Sequence, residues 1–290
     1  MLLLACEVEP SDSGDSVPVD SEVEQPHHPD AELTSDEAGA QLKEAVRFGL
    51  PTAIGIVDAY EGLMSAGDST CPGEGFSSGW LEVFLAEGCE STSGIWYQGA
   101  AGGSSDPLDD DMNGSTDGFG YRFKGDATII DANGFTFKMG GYTELNLYTS
   151  QGDGYAFDGE FYGSYSYPGA PQPWLQQGVS AALDIAGTLV TPEEFEISVN
   201  GGFGTDDQAV FATEFVIGGA CAEMPSGTIG FRDDRGYWYD LTFDETTCDG
   251  CGDVLFDGRE SLGVGCADVV EAFRSSIFEM DDALHANGFE

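Results

Sequence analysis

The feature that most constrains the fold is a hydrophobic period of two residues between about residue 76 and residue 266. Phe195, Ile197 and Val199 alternate with polar residues, as in a strand that buries one face. Turn-forming residues separate such runs at short intervals, and no helical pattern lies between them. The pattern therefore predicts a mainly β fold, built as an antiparallel meander, a sandwich or a barrel-like sheet. The predicted turns are Asn133-Gly134, Gly152-Asp153-Gly154, Thr205-Asp206-Asp207 and Asp233-Asp234-Arg235-Gly236.

Helical patterns flank this region on both sides. Thr34-Ser35-Asp36-Glu37 fits a capping box and predicts a helix over 34–48 that Gly49 and Pro51 end. Apolar residues at helical spacing predict a second helix over 52–65 and a C-terminal helix over 267–285. We therefore expect one domain over 31–290, with two N-terminal helices and one C-terminal helix around the sheet.

The charge of the chain limits its partners. It carries 53 acidic and 9 basic side chains, a formal net charge of −44, and the acids are spread along its whole length. Such a polyanion repels phosphates, so a nucleic-acid partner is not expected. A dispersed acidic surface fits either saline surroundings or the binding of cations.

Six cysteines follow Cys6, an even number that is typical of disulfide bonding in exported proteins. Pairing into short local loops is favoured over the other connectivities. The Cys248-Asp249-Gly250-Cys251 spacing also occurs in redox and zinc sites, but a predicted strand follows it and the chain has no second close pair. The favoured disulfides are Cys71–Cys89, Cys221–Cys248 and Cys251–Cys266.

The sequence Met1-Leu2-Leu3-Leu4-Ala5-Cys6 is an apolar run that ends in a cysteine, directly before polar, acidic and Pro-containing sequence. This run resembles the lipobox of bacterial lipoproteins, although it lacks the usual basic n-region. The resemblance implies that 1–5 are the remnant of a truncated signal peptide and that Cys6 carries lipid, with the membrane as partner through that acyl anchor. It implies a Gram-negative cell envelope, as an outer-membrane lipoprotein on the periplasmic or surface face, or secretion. Residues 6–30 have the composition of a disordered acidic tether.

One acidic loop has the spacing of a calcium site. Residues 109–117 read D-x-D-x-N-G-x-x-D, in which oxygen ligands recur at every second position and Gly114 permits a sharp turn. The pattern resembles the first nine positions of EF-hand and dockerin-like loops, but Gly120 stands where those have a bidentate glutamate. A Ca²⁺ site and an acidic surface turn both remain open. The candidate ligands are Asp109, Asp111, Asn113, Ser115 and Asp117.

Aromatic residues are dense around one further segment. Their rings can stack on sugars, so the segment is a candidate ligand surface, but cross-strand core pairs fit the same pattern. The residues are Phe161, Tyr162, Tyr165, Tyr167 and Trp174.

Support for catalysis is weak in the sequence. Outside the tether the chain has only His285, so Ser–His or Cys–His catalysis has no base within the β region. Glycoside hydrolysis needs only two carboxylates, and Glu82, Glu214 and Asp240 are acids with apolar neighbours.

We therefore expect a non-catalytic, lipid-anchored envelope or surface protein that binds calcium or a glycan. The alternatives are a secreted carboxylate-based glycan hydrolase and a purely structural surface protein.

Overall fold

A computed structural model describes residues 29–72, 75–77, 80–108, 118–149, 155–191, 194–219, 221 and 224–274 of the chain. The chain divides into two units, Met1–Glu32 and Leu33–Glu290. In the described part of the second unit, a long helix and a single antiparallel sheet make up most of the structure. None of the described helices is both long enough and apolar enough to span a bilayer.

The first helix, α1, runs from Ser35 to Ser65 without interruption. The predicted capping box is present: the Glu37 N–H donates to Thr34 Oγ1 at 3.3 Å, and the Thr34 N–H donates to Glu37 Oε2 at 2.9 Å. The predicted break at Gly49 and Pro51 was wrong, since both lie within the helix.

Packing explains why the helix continues. Gly49 is buried, and a Cβ there would lie 3.7 Å from the Trp174 ring, while Ala53 and Ile56 are buried on the same helix. Proline and glycine inside a helix cost roughly 3 and 1 kcal/mol. The burial of one continuous apolar face outweighs that cost, which the local sequence alone does not reveal.

The described residues form thirteen strands in one sheet, whose spatial order is the order of the chain. Every neighbouring pair is antiparallel. The fold is therefore mainly β, and of the predicted alternatives it is the meander. The strands are β1 (Gly75–Ser77), β2 (Trp80–Glu90), β3 (Trp96–Leu108), β4 (Gly118–Ile130), β5 (Thr136–Thr149), β6 (Tyr155–Ser166), β7 (Val179–Thr191), β8 (Glu194–Gly204), β9 (Ala209–Ile217), β10 (Pro225–Arg232), β11 (Trp238–Phe243), β12 (Cys251–Phe256) and β13 (Glu260–Cys266).

Mid-strand glycines let long strands bend. Gly141 in β5 has φ +137° and Gly201 in β8 has φ +104°, values that other residues rarely adopt. A Cβ on Gly141 would lie 2.2 Å from the Tyr162 carbonyl oxygen, and one on Gly201 would lie 2.0 Å from the Ala182 carbonyl oxygen. Glycines in such positions introduce curvature into a sheet.

Helix α1 crosses the inner face of the sheet, which holds the core. Near its N-terminus the Lys43 ammonium pairs with Asp268, just after β13, at 2.9 Å. Near its C-terminus the Tyr97 hydroxyl of β3 donates to the Leu63 carbonyl at 2.6 Å, and Tyr60 stacks on Phe123 with 4.3 Å between ring centroids. A short helix, α2 (Pro173–Gln177), and a helical segment over 269–274 add buried residues to the same face.

Three hairpin turns share one construction, and two of them match predicted turns. In 131–135, the Asp131 carboxylate accepts hydrogen bonds from the Asn133 and Phe135 N–H groups at 2.9 and 2.8 Å. Residues 233–237 repeat this arrangement with Asp233, and residues 91–95 use the Ser91 hydroxyl. The predicted turn at 152–154 lies outside the described residues.

The three disulfides join the cysteines in the predicted pairs. Their sequence separations are 18, 27 and 15 residues. Cys248 and Cys251 belong to different disulfides, so the C-x-x-C sequence does not form a dithiol pair. The predicted C-terminal helix is confirmed over 269–274, and its remainder lies outside the described residues.

Candidate functional site

The outer face of the sheet, opposite α1, carries a groove over β3–β11. Two adjoining cavities of about 970 and 870 Å³ form it, and both are lined by Ser180, Gly204, Thr205 and Arg232. These volumes fall within the range of small-molecule sites. We call the larger cavity the hydroxyl half and the smaller one, which Phe211 and Trp238 line, the aromatic half.

Among the polar side chains that line the hydroxyl half, neutral ones outnumber charged ones. The charged residues among its lining are Asp126, Lys138, Asp206 and Arg232. Hydroxyl and amide groups both donate and accept hydrogen bonds, so they suit a ligand that is rich in hydroxyls. The neutral polar side chains are Gln98, Thr128, Ser164, Ser166, Gln177, Ser180 and Thr205.

In the aromatic half, two small residues lie between aromatic side chains and form the floor of the groove. Tyr162, Ala182, Gly202 and Phe211 are direct cross-strand neighbours on β6, β7, β8 and β9. With strands spaced about 4.8 Å apart, Tyr162 and Phe211 originate about 14 Å from each other. Ala182 and Gly202 leave the space between them open, and Tyr162 is 42% exposed.

Trp238 and Asp240 of β11 lie beyond Phe211 and line the same half. The Phe211 and Trp238 rings pack edge to face, with centroids 5.5 Å apart and ring planes at 83°. Gly230 lies between Phe211 and Asp240 in the cross-strand register. A Cβ on Gly230 would meet Asp240 Oδ1 at 2.4 Å, so the absence of a side chain there lets the carboxyl group lie over β10.

Asp240 has an unusual environment for an acid. Its Oδ1 atom is buried and has no hydrogen-bond partner among the described residues. Burial, and after it the neighbouring Asp257 carboxylate, raise the pKa of Asp240. Asp257 lines the same half of the groove, so two acids face one cavity.

Arg232 separates the two halves. Its Nη2 donates to the Thr205 and Asp206 carbonyl oxygens at 2.8 and 2.7 Å, and its Nε is buried without a partner among the described residues. The guanidinium group is therefore fixed in position at the boundary between the two halves.

A second polar cluster lies on the outer face, along β4–β6. The Arg122 guanidinium binds Glu144 through Nε at 2.8 Å and Nη2 at 2.5 Å, and Tyr142 and Asn146 also donate to this carboxylate. Partial burial opposes ionisation of Glu144, but the hydrogen bonds from Arg122, Tyr142 and Asn146 lower its pKa to about 2. Asn146 also donates to Asp158 at 2.9 Å. A carboxylate held ionised in this way is a poor general acid.

The predicted aromatic ligand surface is largely core. Phe161 and Tyr165 are 1% and 2% exposed, because β6 directs alternate residues to the inner face, and Trp174 of α2 is 2% exposed. Tyr162 lies on the outer face, and its hydroxyl donates to Asp184 at 2.5 Å. Tyr167 is half-buried, and its hydroxyl donates to Asp131 at 2.8 Å. Of the five residues, Tyr165 lines the hydroxyl half, and Tyr162 is the cross-strand neighbour of Ala182 in the aromatic half.

Two other predicted sites cannot be placed. Cys6 and the loop that holds Asp109, Asp111, Asn113, Ser115 and Asp117 lie outside the described residues. Within the described ranges, no group of three or more His, Cys, Asp or Glu side chains is arranged to hold a metal ion.

Two of the three candidate acids can be located. Asp240 lies in the groove, as above. Glu214 lies at an irregularity of β9 with φ +49°, it is exposed, and its N–H donates to Asn200 Oδ1 at 2.7 Å. The side chain of Glu82 is outside the described set.

Sequence reasoning missed Asp257, Arg232 and the open floor. Asp257 is 17 positions after Asp240 in the sequence, and it joins the cavity because β11 pairs with β12. Comparison with protein-family models, with curated proteins and with solved structures finds no match for this chain.

Proposed function

We propose that this chain is a lipid-anchored envelope protein that binds a saccharide in the groove on the outer face of its sheet, without catalysis. The observation that carries the proposal is the composition of the groove. Neutral hydroxyl and amide groups line one half, and the Phe211–Trp238 pair lines the other. Sugar rings present hydroxyls at their rims and apolar C–H faces, which match these two kinds of surface.

The anchor rests on the lipobox-like sequence that ends at Cys6, with support from the disulfides. Three structural disulfides fit an oxidising compartment outside the cytoplasm. The test is metabolic labelling with a radioactive fatty acid during expression of the full gene in a Gram-negative host. We expect label in the wild-type protein and none in Cys6→Ser; label in both would contradict the anchor.

Saccharide binding is tested by tryptophan fluorescence during titration with a panel of oligosaccharides. Ala182→Leu raises the floor at an exposed position, so we expect it to weaken binding without loss of stability. Trp238→Ala removes one aromatic wall and should weaken binding as well. Phe135→Ala is the matched control, because Phe135 is 45% exposed in a hairpin turn and does not line the groove.

Binding that Ala182→Leu and Trp238→Ala leave unchanged would contradict the location. If no saccharide in the panel binds, the purely structural alternative is favoured.

Calcium binding by residues 109–117 remains a separate part of the proposal. The test is thermal melting in EDTA, in millimolar Ca²⁺ and in molar NaCl. A midpoint raised by Ca²⁺ beyond the effect of salt, and lost in Asp111→Ala, would support it. An equal effect of NaCl would contradict it.

A second candidate function, carboxylate-based glycan hydrolysis, is favoured by one observation. Asp240 and Asp257 line the same cavity beside Trp238, and the raised pKa of Asp240 suits a general acid. The test measures the release of reducing ends from any oligosaccharide that binds. Release that Asp240→Asn abolishes would establish hydrolysis, whereas binding without release would leave the non-catalytic function.

A further inference from the structure

The aromatic half of the groove differs from a neutral sugar site in its charge. Asp240 and Asp257 line it, and Arg232 is the one basic side chain among its lining residues. Arg232 lies at the boundary with the hydroxyl half and uses its Nη2 for the Thr205 and Asp206 carbonyls. The part of the cavity beyond Phe211 is therefore lined by acids and an aromatic ring.

Asp240 also lacks a donor. Its Oδ1 is shielded from solvent and receives no hydrogen bond from the described residues. A buried acceptor without a donor is unfavourable, and a charged donor satisfies a carboxylate better than a neutral one does. A cationic group in the cavity that Asp240 lines would therefore stabilise its carboxylate.

The walls of this subsite suit an organic cation. Trp238 and Phe211 place two aromatic rings beside the acids, with ring planes at 83°. Aromatic faces attract ammonium groups, and the indole ring does so most strongly. The net charge of −44 raises the local concentration of cations around the whole protein.

From these observations we propose that the Trp238–Asp240 subsite binds the ammonium group of an amino sugar, so that the ligand of the groove is a saccharide with free amino groups. This inference rests on the proposed saccharide-binding function and names its ligand class. The ammonium group approaches the Asp240 carboxylate from the cavity and lies beside Asp257 and the Trp238 ring. The sugar hydroxyls then extend over Ser180 and Thr205 into the hydroxyl half.

Isothermal titration calorimetry on the full, disulfide-bonded chain tests the proposal. The probes are the β-1,4-linked tetramers of glucosamine, N-acetylglucosamine and glucose, together with N-acetylated tetralysine, a peptide with the same four amino groups as the glucosamine tetramer. We expect the glucosamine tetramer to bind at least tenfold more tightly than the N-acetylated and glucose tetramers, as loss of a charged hydrogen bond predicts. Measurements at low and at moderately high salt separate this contact from general attraction to the polyanion.

Two variants assign the contact. Asp240→Asn keeps the shape of the side chain and removes its charge, so the tenfold preference should disappear. Asp253→Asn is the matched control, because Asp253 is an exposed acid on the neighbouring strand β12 and does not line the groove. Circular dichroism and thermal melting establish that each variant is folded. Should Asp240→Asn fail to fold, Trp238→Phe takes its place, since the smaller ring weakens the cation contact.

The outcomes separate this inference from the function on which it rests. If the glucose or N-acetylated tetramer binds as tightly as the glucosamine tetramer, saccharide binding stands and the ammonium subsite is refuted. A preference that survives Asp240→Asn refutes it too. If tetralysine binds equally and with the same dependence on Asp240, the site does not distinguish an amino sugar from other clustered amino groups, and its assignment to an amino sugar is refuted. If no tetramer binds, both proposals fall.

Discussion

Replacement of Glu61 by glutamine should stabilise the protein at alkaline pH and leave its stability unchanged in acid. Glu61 lies on α1, four residues before its end. Burial, and then the Asp58 carboxylate one turn earlier, raise the pKa of Glu61 from 4.5 to about 7. The ionised side chain is therefore less favourable in the folded state than in the unfolded chain.

The size of the effect follows from that difference. At about 1.4 kcal/mol per pKa unit, a rise from 4.5 to about 7 corresponds to roughly 3 kcal/mol. Glu61 keeps partial contact with water, and solvent screening reduces the expected gain to about 1–2 kcal/mol. For a domain of this size, such a gain raises the melting temperature by about 2–8 °C.

The stability of the wild-type protein should decrease with pH because of Glu61. Between about pH 4.5 and pH 7 the folded protein binds more protons at Glu61 than the unfolded chain does, so wild-type stability falls as the pH rises through that window. Glutamine does not titrate. The gain from Glu61→Gln should thus be absent near pH 4 and complete near pH 8.

Differential scanning fluorimetry of both proteins across this range measures the gain. Glu44→Gln is the control, because Glu44 is an exposed acid on the same helix and corrects for the loss of one charge from a polyanion. A gain that is equal at pH 4 and pH 8, or that Glu44→Gln reproduces, would refute the argument.

Three further changes test the sheet and the helix by urea denaturation. Arg122→Ala removes the cation that holds Glu144 ionised, so we expect the free energy of unfolding to fall by about 1 kcal/mol at pH 7. This difference from the wild type should vanish as the pH falls from 4.5 to about 2, and a difference independent of pH would contradict the prediction. Gly201→Ala places a Cβ 2.0 Å from a backbone oxygen, at a residue with φ +104°. We expect the free energy of unfolding to fall by about 3 kcal/mol or more, whereas an unchanged value would show that β8 can shift. Gly62 lies on the exposed face of α1, and a Cβ there would meet no atom within 4 Å. Gly62→Ala should therefore raise the free energy of unfolding by about 0.5–1 kcal/mol; destabilisation would mean that this face is covered.

The sequence predicts most of the local structure because local rules decide it. The period of two in Phe195–Val199, the capping box at Thr34 and the turn at Asn133-Gly134 all correspond to observed elements. The disulfide pairs were predictable because each closes a short loop between neighbouring elements.

Tertiary relations were not predictable in the same way. The continuation of α1 through Pro51 depends on burial against the sheet. The groove depends on register: Tyr162, Ala182, Gly202 and Phe211 are separated by 20, 20 and 9 positions in the chain and become neighbours only when four strands pair. For the aromatic segment at 161–174, core packing and a ligand surface both stayed open, because alternation shows that two faces exist, and not which face points toward the helix.

The order of assembly follows from the path of α1 beneath the sheet. Because each strand pairs with the next in the chain, the sheet can grow by successive hairpins as the polypeptide emerges. The N-terminal part of α1, however, contacts the last of these strands, β13, and the segment that contains Asp268. Some 200 residues therefore follow the first helix in synthesis before these last contacts on its apolar side can form. A chain shortened at its C-terminus would expose that side, which makes incomplete products suitable substrates for chaperones and proteases.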